Sequence, residues 1–370
     1  MVGTQTDEKN QKYQKAHKKN IWGSPYPFHE TLEWVVRNGL GASNKNSELT
    51  QSIPKKGTLY PDIDTKYCIC AVGDIMDMRG SDLSIGPNLS TYVEKNDTKT
   101  TYYLGNFEAT ITDKKGPSIY QKHKPQIIDA LAELFPPERT YLSIANNHAG
   151  DFEPEIFHNS IKLLENAGFH IFGLKSKPTT HLSQSIQLST SITSDISVTT
   201  ASQWSNLDTD IIPYLDDKFI SDLEANRGDN GLKIFYPHWG YEMERYPRPE
   251  TIEFAERLLF KHSFTTIIGH HTHCPQPVTL LSDNSKSLSG SVRGDEGGSD
   301  NINIPRKLVA YSLGDFCTGL KIEKYRHGIF LRNEFGVSIS GEYVLKNWEW
   351  DYIKCARKNS SLCEVEFQNT

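Results

Sequence analysis

The chain has 370 residues, 36% hydrophobic and 23% charged, enough for a large core with the balance of a globular protein. A formal net charge of −6 excludes a general nucleic-acid binder, whose phosphate contacts require a cationic face. No apolar run is long enough to cross a bilayer and the N-terminus has no apolar signal core, so a cytoplasmic protein is expected.

Residues 1–20 are polar and read as a disordered leader. Their lysine cluster (Lys9, Lys12, Lys15, Lys18, Lys19) carries a single aromatic, Tyr13, before Trp22 and reads as a solvated terminus. Residues 21–65 form an N-terminal accessory segment. Within it, His29 to Asn38 predicts a short helix bearing Leu32, Trp34, Val35 and Val36, with Gly39 as its stop. The segment either packs on the main domain or frames a substrate pocket.

The main domain is expected over 66–335. Tyr67 to Val72 is an apolar strand ended by Gly73-Asp74, and Tyr102 to Leu104 leads into Asn106-Phe107-Glu108. Ile127 to Phe135 reads as a helix closed by Pro136-Pro137, and Leu142 to Ala145 as a strand. Pro154 to Ala167 places Ile156, Phe157, Ile161 and Leu164 on one helical face, with Gly168 as C-cap. His170 to Phe172 is the next strand, and the Ser/Thr-rich stretch 176–210 reads as edge strands and loops. Helices are expected over Asp217 to Ala225 and Ile252 to Phe260, and strands over Lys233 to Tyr236, Thr265 to Ile268 and Lys307 to Ser312. Residues 282–304 read as a long flexible loop and a candidate lid. Residues 336–370 are C-terminal strands and tail, with the alternation of Asn333 to Glu349 predicting a hairpin. The six cysteines include no CxxC pair. Cys68 and Cys70 share one strand face, so buried or incidental thiols are expected in place of a disulfide or a cysteine zinc site.

Six predicted strand ends carry polar residues: Gly73-Asp74, Asn106 with Glu108, Asn146-Asn147-His148, His238-Trp239-Gly240, the turn 269–273 with His270, His271 and His273, and the run 312–315 ending in Asp315. Ligands of α/β folds collect at the carboxyl ends of strands. These side chains are the oxygen and nitrogen donors that suit Mn, Fe or Zn. A carboxylate such as Glu108 can bridge two cations, and a pair of ions polarises a phosphoryl oxygen and acidifies a bridging water. The histidines outside these turns (His17, His29, His158, His170, His181, His262, His327) read as surface or core hydrogen-bonding groups. Lys122, His123 and Lys124 read as an exposed basic loop, with contact to an anionic substrate as the alternative.

In their order along the chain, Gly73-Asp74-Ile75-Met76 with Arg79, Asn106-Phe107-Glu108, Ala145-Asn146-Asn147-His148 with Asp151, His238-Trp239-Gly240 with Glu242, Gly269 to His273 with Gln276, and Tyr311 to Gly314 resemble the capsule-biosynthesis CapA family. That family is linked to poly-γ-glutamate synthesis and sits in the calcineurin-like metallophosphoesterase superfamily. The resemblance covers roughly residues 66–320. It implies an α/β fold, a four-layer αββα sandwich, here with an N-terminal extension and a C-terminal hairpin. It also implies two divalent ions: Asp74 and His273 on the first, Glu108 bridging, and Asn147, His238 and His271 on the second. His148 would protonate the leaving group with Asp151 orienting it, and Arg79 and Glu242 would stand near the substrate. Three positions depart from the pattern. Met76 stands where the superfamily often has a histidine, with Asp77 or His270 as replacements; Asp315 replaces an asparagine; and His270 replaces a small residue.

The resemblance implies hydrolysis of a phosphoester or glutamyl-type amide in a small or polymeric anionic substrate, in poly-γ-glutamate or related biosynthesis or in a dedicated step of a small-molecule pathway that reuses the scaffold. The alternative class is a non-catalytic metal-binding component that binds a polyglutamate-like chain or a partner synthase.

Overall fold

The computed structural model describes residues 24–40, 49–182, 196–207, 209–225, 231–283 and 306–368. The leader at 1–20 and nearly all of the 282–304 loop lie outside the described residues.

The strands, in chain order, are β1 (Lys56–Thr58), β2 (Tyr67–Ile75), β3 (Asp82–Ile85), β4 (Thr101–Phe107), β5 (Thr110–Ile111), β6 (Lys122–His123), β7 (Thr140–Ser143), β8 (His170–Phe172), β9 (Thr179–His181), β10 (Ile196–Thr199), β11 (Leu232–Phe235), β12 (Thr266–Ile268), β13 (Val278–Ser282), β14 (Arg306–Ala310), β15 (Asp315–Cys317), β16 (His327–Val337), β17 (Tyr343–Arg357) and β18 (Leu362–Phe367). The α-helices are α1 (Phe28–Leu40), α2 (Pro87–Asn96), α3 (Ile127–Leu134), α4 (Pro154–Asn166), α5 (Asp217–Ala225) and α6 (Pro249–Phe260).

A ten-stranded sheet runs β3-β18-β17-β16-β2-β4-β7-β8, with β1 on β17 and β15 on β2; a six-stranded sheet runs β13-β14-β12-β11-β10-β9. Strand alternation explains how they stack. In β11, Leu232 and Ile234 face the other sheet while Phe235 faces helices; in β14, Leu308 and Ala310 face inward and Val309 outward. In β2, Ile69 and Ala71 meet the second sheet while Cys68, Cys70 and Val72 meet α2, α3 and α4. The two sheets therefore enclose one apolar layer, with α2–α4 outside the larger and α5 and α6 outside the smaller. This is a four-layer αββα sandwich, and strands covered on both faces account for the near-continuous apolar runs.

The domain limits read from sequence meet the strands as follows. The 335/336 limit falls inside β16, which pairs with β2 on one side and β17 on the other. The C-terminal hairpin is longer than its alternation suggested, and β18 adds a further strand to the same sheet. The 21–65 segment is joined to the core, with β1 paired to β17 and Ile53 and Leu59 packed between the sheets. Helix α1 has the opposite burial from its pattern: Leu32, Val35 and Val36 are exposed, whereas Glu30, Thr31 and Arg37 are buried. All six cysteines are free and buried. No helix among the described residues is long and apolar enough to cross a membrane.

Candidate metal centre

The strands β2, β4 and β7 are parallel in one sheet, and β11, β12 and β14 are parallel in the other, so their carboxyl ends deliver chain to one region. The sheets are joined there. The Asp74 N–H donates to the Gly314 carbonyl at 2.8 Å, and β15 sets Asp315 opposite Asp74. Gly73 is required at this seam, because a Cβ would lie 1.9 Å from the Gly314 carbonyl oxygen. The following turn is strained: His271 and His273 have φ of 92° and 53°, in the left-handed region.

Glu108 is fully buried, and its Oε1 has no hydrogen-bond partner. The Nε2 atoms of His238, His148 and His273 stand 3.7, 3.9 and 3.9 Å from that oxygen. Those distances are too long for hydrogen bonds and suit a cation between the groups. Two donor sets share the carboxylate: Glu108 with His238 and His271, and Glu108 with Asp74 and His273. Asn147 Oδ1 adds an oxygen 2.7 Å from His238 Nε2, and His271 Nδ1 lies 2.9 Å from the same nitrogen. A buried orphan carboxylate oxygen ringed by imidazoles, with further oxygen donors, fits divalent Mn, Fe or Zn.

The surrounding hydrogen bonds fix these donors. Asn106 Nδ2 donates to Asp74 Oδ1 at 2.7 Å, and the His271 N–H donates to Asp74 Oδ2 at 3.1 Å. Asn146 donates to the Phe107 carbonyl and accepts from the His148 N–H, which makes it a turn residue beside Asn147. His148 Nδ1 and Asp151 Oδ2 are 2.6 Å apart, and His273 Nδ1 and Asp315 Oδ1 are 2.9 Å apart. Each carboxylate orients an imidazole and frees its Nε2 for the site.

Charge is poorly compensated in this cluster. Burial, reinforced by the Asp74 charge, holds the Glu108 carboxyl well above its ordinary range, and burial also raises Asp74. Burial and the neighbouring imidazoles depress His238 and His271. At His273 burial works downward but is outweighed by Asp315 and Glu108, and the imidazole is raised. A cation is the missing partner for two carboxylates kept this close.

Of the two residues considered in place of a histidine at 76, Asp77 is engaged by Arg79, accepting from its N–H at 2.6 Å. His270 is buried with Nδ1 3.6 Å from Asp74 Oδ1. Neither of its ring nitrogens has a hydrogen-bond partner among the described residues. Met76, Arg79, His148, Glu242 and His273 line a cavity of about 170 Å³ beside the cluster, together with Pro25, Trp34, Asn206 and Tyr325. The basic trio at 122–124 divides: Lys124 is exposed, while His123 is buried against Phe107 and bonded through Nε2 to the Ile75 carbonyl. The exposed-loop reading of His123 is therefore corrected; the short β5–β6 pairing carries its ring inward.

Sequence reasoning missed Tyr26, Trp34, Asn206 and Tyr325. Trp34 Nε1 donates to a Glu242 carboxylate oxygen, and Asn206 Nδ2 lies 3.2 Å from His148 Nδ1. No local motif marks these residues, because each arrives from a segment remote from the histidine turns.

The bacterial capsule synthesis protein family, PGA_cap, matches residues 68–319. The chain belongs to that family. Membership bears out the family resemblance read from the motifs. Two solved structures are similar at low identity. A novel phosphatase from Mycoplasma pneumoniae aligns at 13% identity and a TM-score of 0.40, over 79% of this chain and 94% of its own. A putative 5'-nucleotidase from Staphylococcus aureus, in complex with alpha-ketoglutarate, aligns at 10% identity and a TM-score of 0.40, over 76% of this chain and 54% of its own. The chain thus spans about half of that nucleotidase. No curated protein matches the chain.

Proposed function

We propose that the chain is a hydrolase with a two-ion centre, cleaving a phosphoester or glutamyl-type amide of an anionic substrate. The observation that carries this reading is Glu108 Oε1, buried, unpartnered and faced by three imidazole nitrogens at 3.7–3.9 Å. Asp74 and His273 would hold one ion, His238, His271 and Asn147 the other, with Glu108 between them. Bound ions would polarise the scissile centre and activate water. The protein's own part is positioning and proton transfer. Asp151 accepts from His148 Nδ1–H and holds the ring, so that a proton on Nε2 can pass to the leaving group. Arg79, at the cavity wall, offers a guanidinium to substrate anionic groups. Trp34 donates to Glu242 at another part of the wall, and Tyr325 also lines the cavity.

The test is metal content of the purified chain after Mn²⁺ loading, together with hydrolysis of bis-p-nitrophenyl phosphate and a glutamyl-amide panel. Two ions per chain and turnover are expected; His238→Ala should lose metal, and His148→Ala should keep it and lose turnover. A wild-type chain that takes up no Mn²⁺, Fe²⁺ or Zn²⁺ refutes the reading. Met76, lining the cavity in place of a histidine, favours a second reading: a non-catalytic metal-binding component that holds an anionic chain. Full metal loading with no turnover on either panel selects it.

A further inference from the structure

We propose that Tyr26, in the segment before α1, is a positioning residue of the metal centre, holding His271 by Nε2 so that its Nδ1 faces Glu108 and His238. The inference rests on the metal reading above. The Tyr26 hydroxyl lies 2.7 Å from His271 Nε2 and accepts from the Glu242 N–H at 2.9 Å. Nδ1 of the same imidazole is the atom turned toward the cluster, 2.9 Å from His238 Nε2. An imidazole that ligates through Nδ1 carries its proton on Nε2, where it needs an acceptor, and the Tyr26 oxygen is placed to be that acceptor.

The placement is built. Tyr26 is 1% exposed, and its ring packs edge-on against Trp204 at 4.9 Å and beside Tyr241 at 5.4 Å. The polar face of α1 anchors the segment: Arg248 makes two bonds to Glu30 at 2.8 and 2.9 Å, and Arg37 Nε donates to the Glu242 carbonyl at 2.9 Å. This explains why α1 buries charge and exposes Leu32, Val35 and Val36. His271 also has a left-handed φ of 92°, a backbone state that neighbouring contacts must hold in place. Tyr26 lies outside the matched stretch 68–319, so a part of the chain beyond the family's shared region supports a ligand of its centre.

The experiment uses the full chain, wild type and Tyr26→Phe, which keeps the packed ring and removes only the oxygen. Zn²⁺ affinity is measured by calorimetric titration, and ¹⁵N-histidine spectra of the Zn²⁺-loaded protein identify the protonated nitrogen of His271. The expected wild-type signature is a slowly exchanging proton on His271 Nε2. In Tyr26→Phe that proton should exchange faster, and one of the two Zn²⁺ events should weaken by about 10–100-fold, the usual effect of losing an outer-shell partner. Unchanged affinities for both ions, or a wild-type His271 that binds Zn²⁺ through Nε2, would overturn the role of Tyr26 and leave the metal reading standing. A wild type that binds none of Zn²⁺, Mn²⁺ and Fe²⁺ in the same titration would overturn both.

Discussion

Glu108→Gln tests the central claim because the two outcomes differ in sign. In the metal-free protein the Glu108 carboxyl is fully buried and held well above its ordinary range by burial and by Asp74. An unfolded glutamate titrates at about 4.3, and folding that raises the carboxyl above that value makes the folded state bind a proton that the unfolded chain has released. The sign follows from linkage. A carboxyl raised by folding costs nothing below its unfolded value, and the penalty grows as pH rises toward the folded value. Glutamine has the same shape and no charge, and its amide oxygen can still accept from Asn106, which lies 3.3 Å from Glu108 Oε2. Metal-free Glu108→Gln should therefore be more stable than wild type at pH 7, with the difference shrinking toward pH 5. Saturating Mn²⁺ should reverse the order, since wild type gains about 2.7 kcal/mol per site at a hundredfold excess over Kd while the amide is a poor bridge. Urea midpoints at pH 5 and pH 7, with and without Mn²⁺, read all four states. A metal-free variant less stable than wild type at pH 7 would refute the reasoning, because it would mean that the charged carboxylate is already satisfied by its imidazole neighbours.

His148→Ala and Asp151→Asn should lower turnover on an aryl phosphodiester by about 10²–10⁴-fold and less, respectively, with metal content unchanged by atomic absorption. Asp315→Ala removes the acceptor 2.9 Å from His273 Nδ1 and should weaken metal binding by about 10–100-fold in calorimetry, whereas Asp315→Asn, which keeps an acceptor oxygen, should cost less. His123 is buried with its pKa pushed down to about 4 by burial, against about 6.5 when unfolded. Its neutral form is favoured by folding, so its contribution is fully present above about pH 6.5 and is lost as pH falls toward 4, by roughly 3 kcal/mol in total. His123→Phe should flatten that part of the stability–pH curve measured by urea unfolding.

The residues that converge on the candidate centre were legible in the sequence because a strand that ends in a polar, histidine-bearing turn carries its signature locally. The apolar run before Asp74, the asparagine pair before His148 and the turn at 269–273 each state both the strand and its chemistry. The four layers were implied by the family resemblance and not by the runs themselves: in Leu232–Phe235 one face is Leu232 and Ile234, while the other sets Lys233 beside Phe235. What surrounds the donors was not legible, and α1 shows the reason. Its apolar residues at 32, 34, 35 and 36 marked a helix without saying which face turns inward; the surface beneath it presents Glu244, Arg248 and the Glu242 backbone, so the complementary face of the helix is Glu30 and Arg37. Hydrophobic periodicity reports a helix's preference for an average interior and carries no information about a charged partner some two hundred residues away. Tyr26 fails to stand out for the same reason: a tyrosine between two prolines is an ordinary loop residue until His271 is brought beside it. Candidate ligand positions are specified by the chain around them, whereas the residues that would orient them are specified only by the fold. The positions most worth testing by substitution are therefore those, such as 26 and 315, whose roles depend on partners that only the fold supplies.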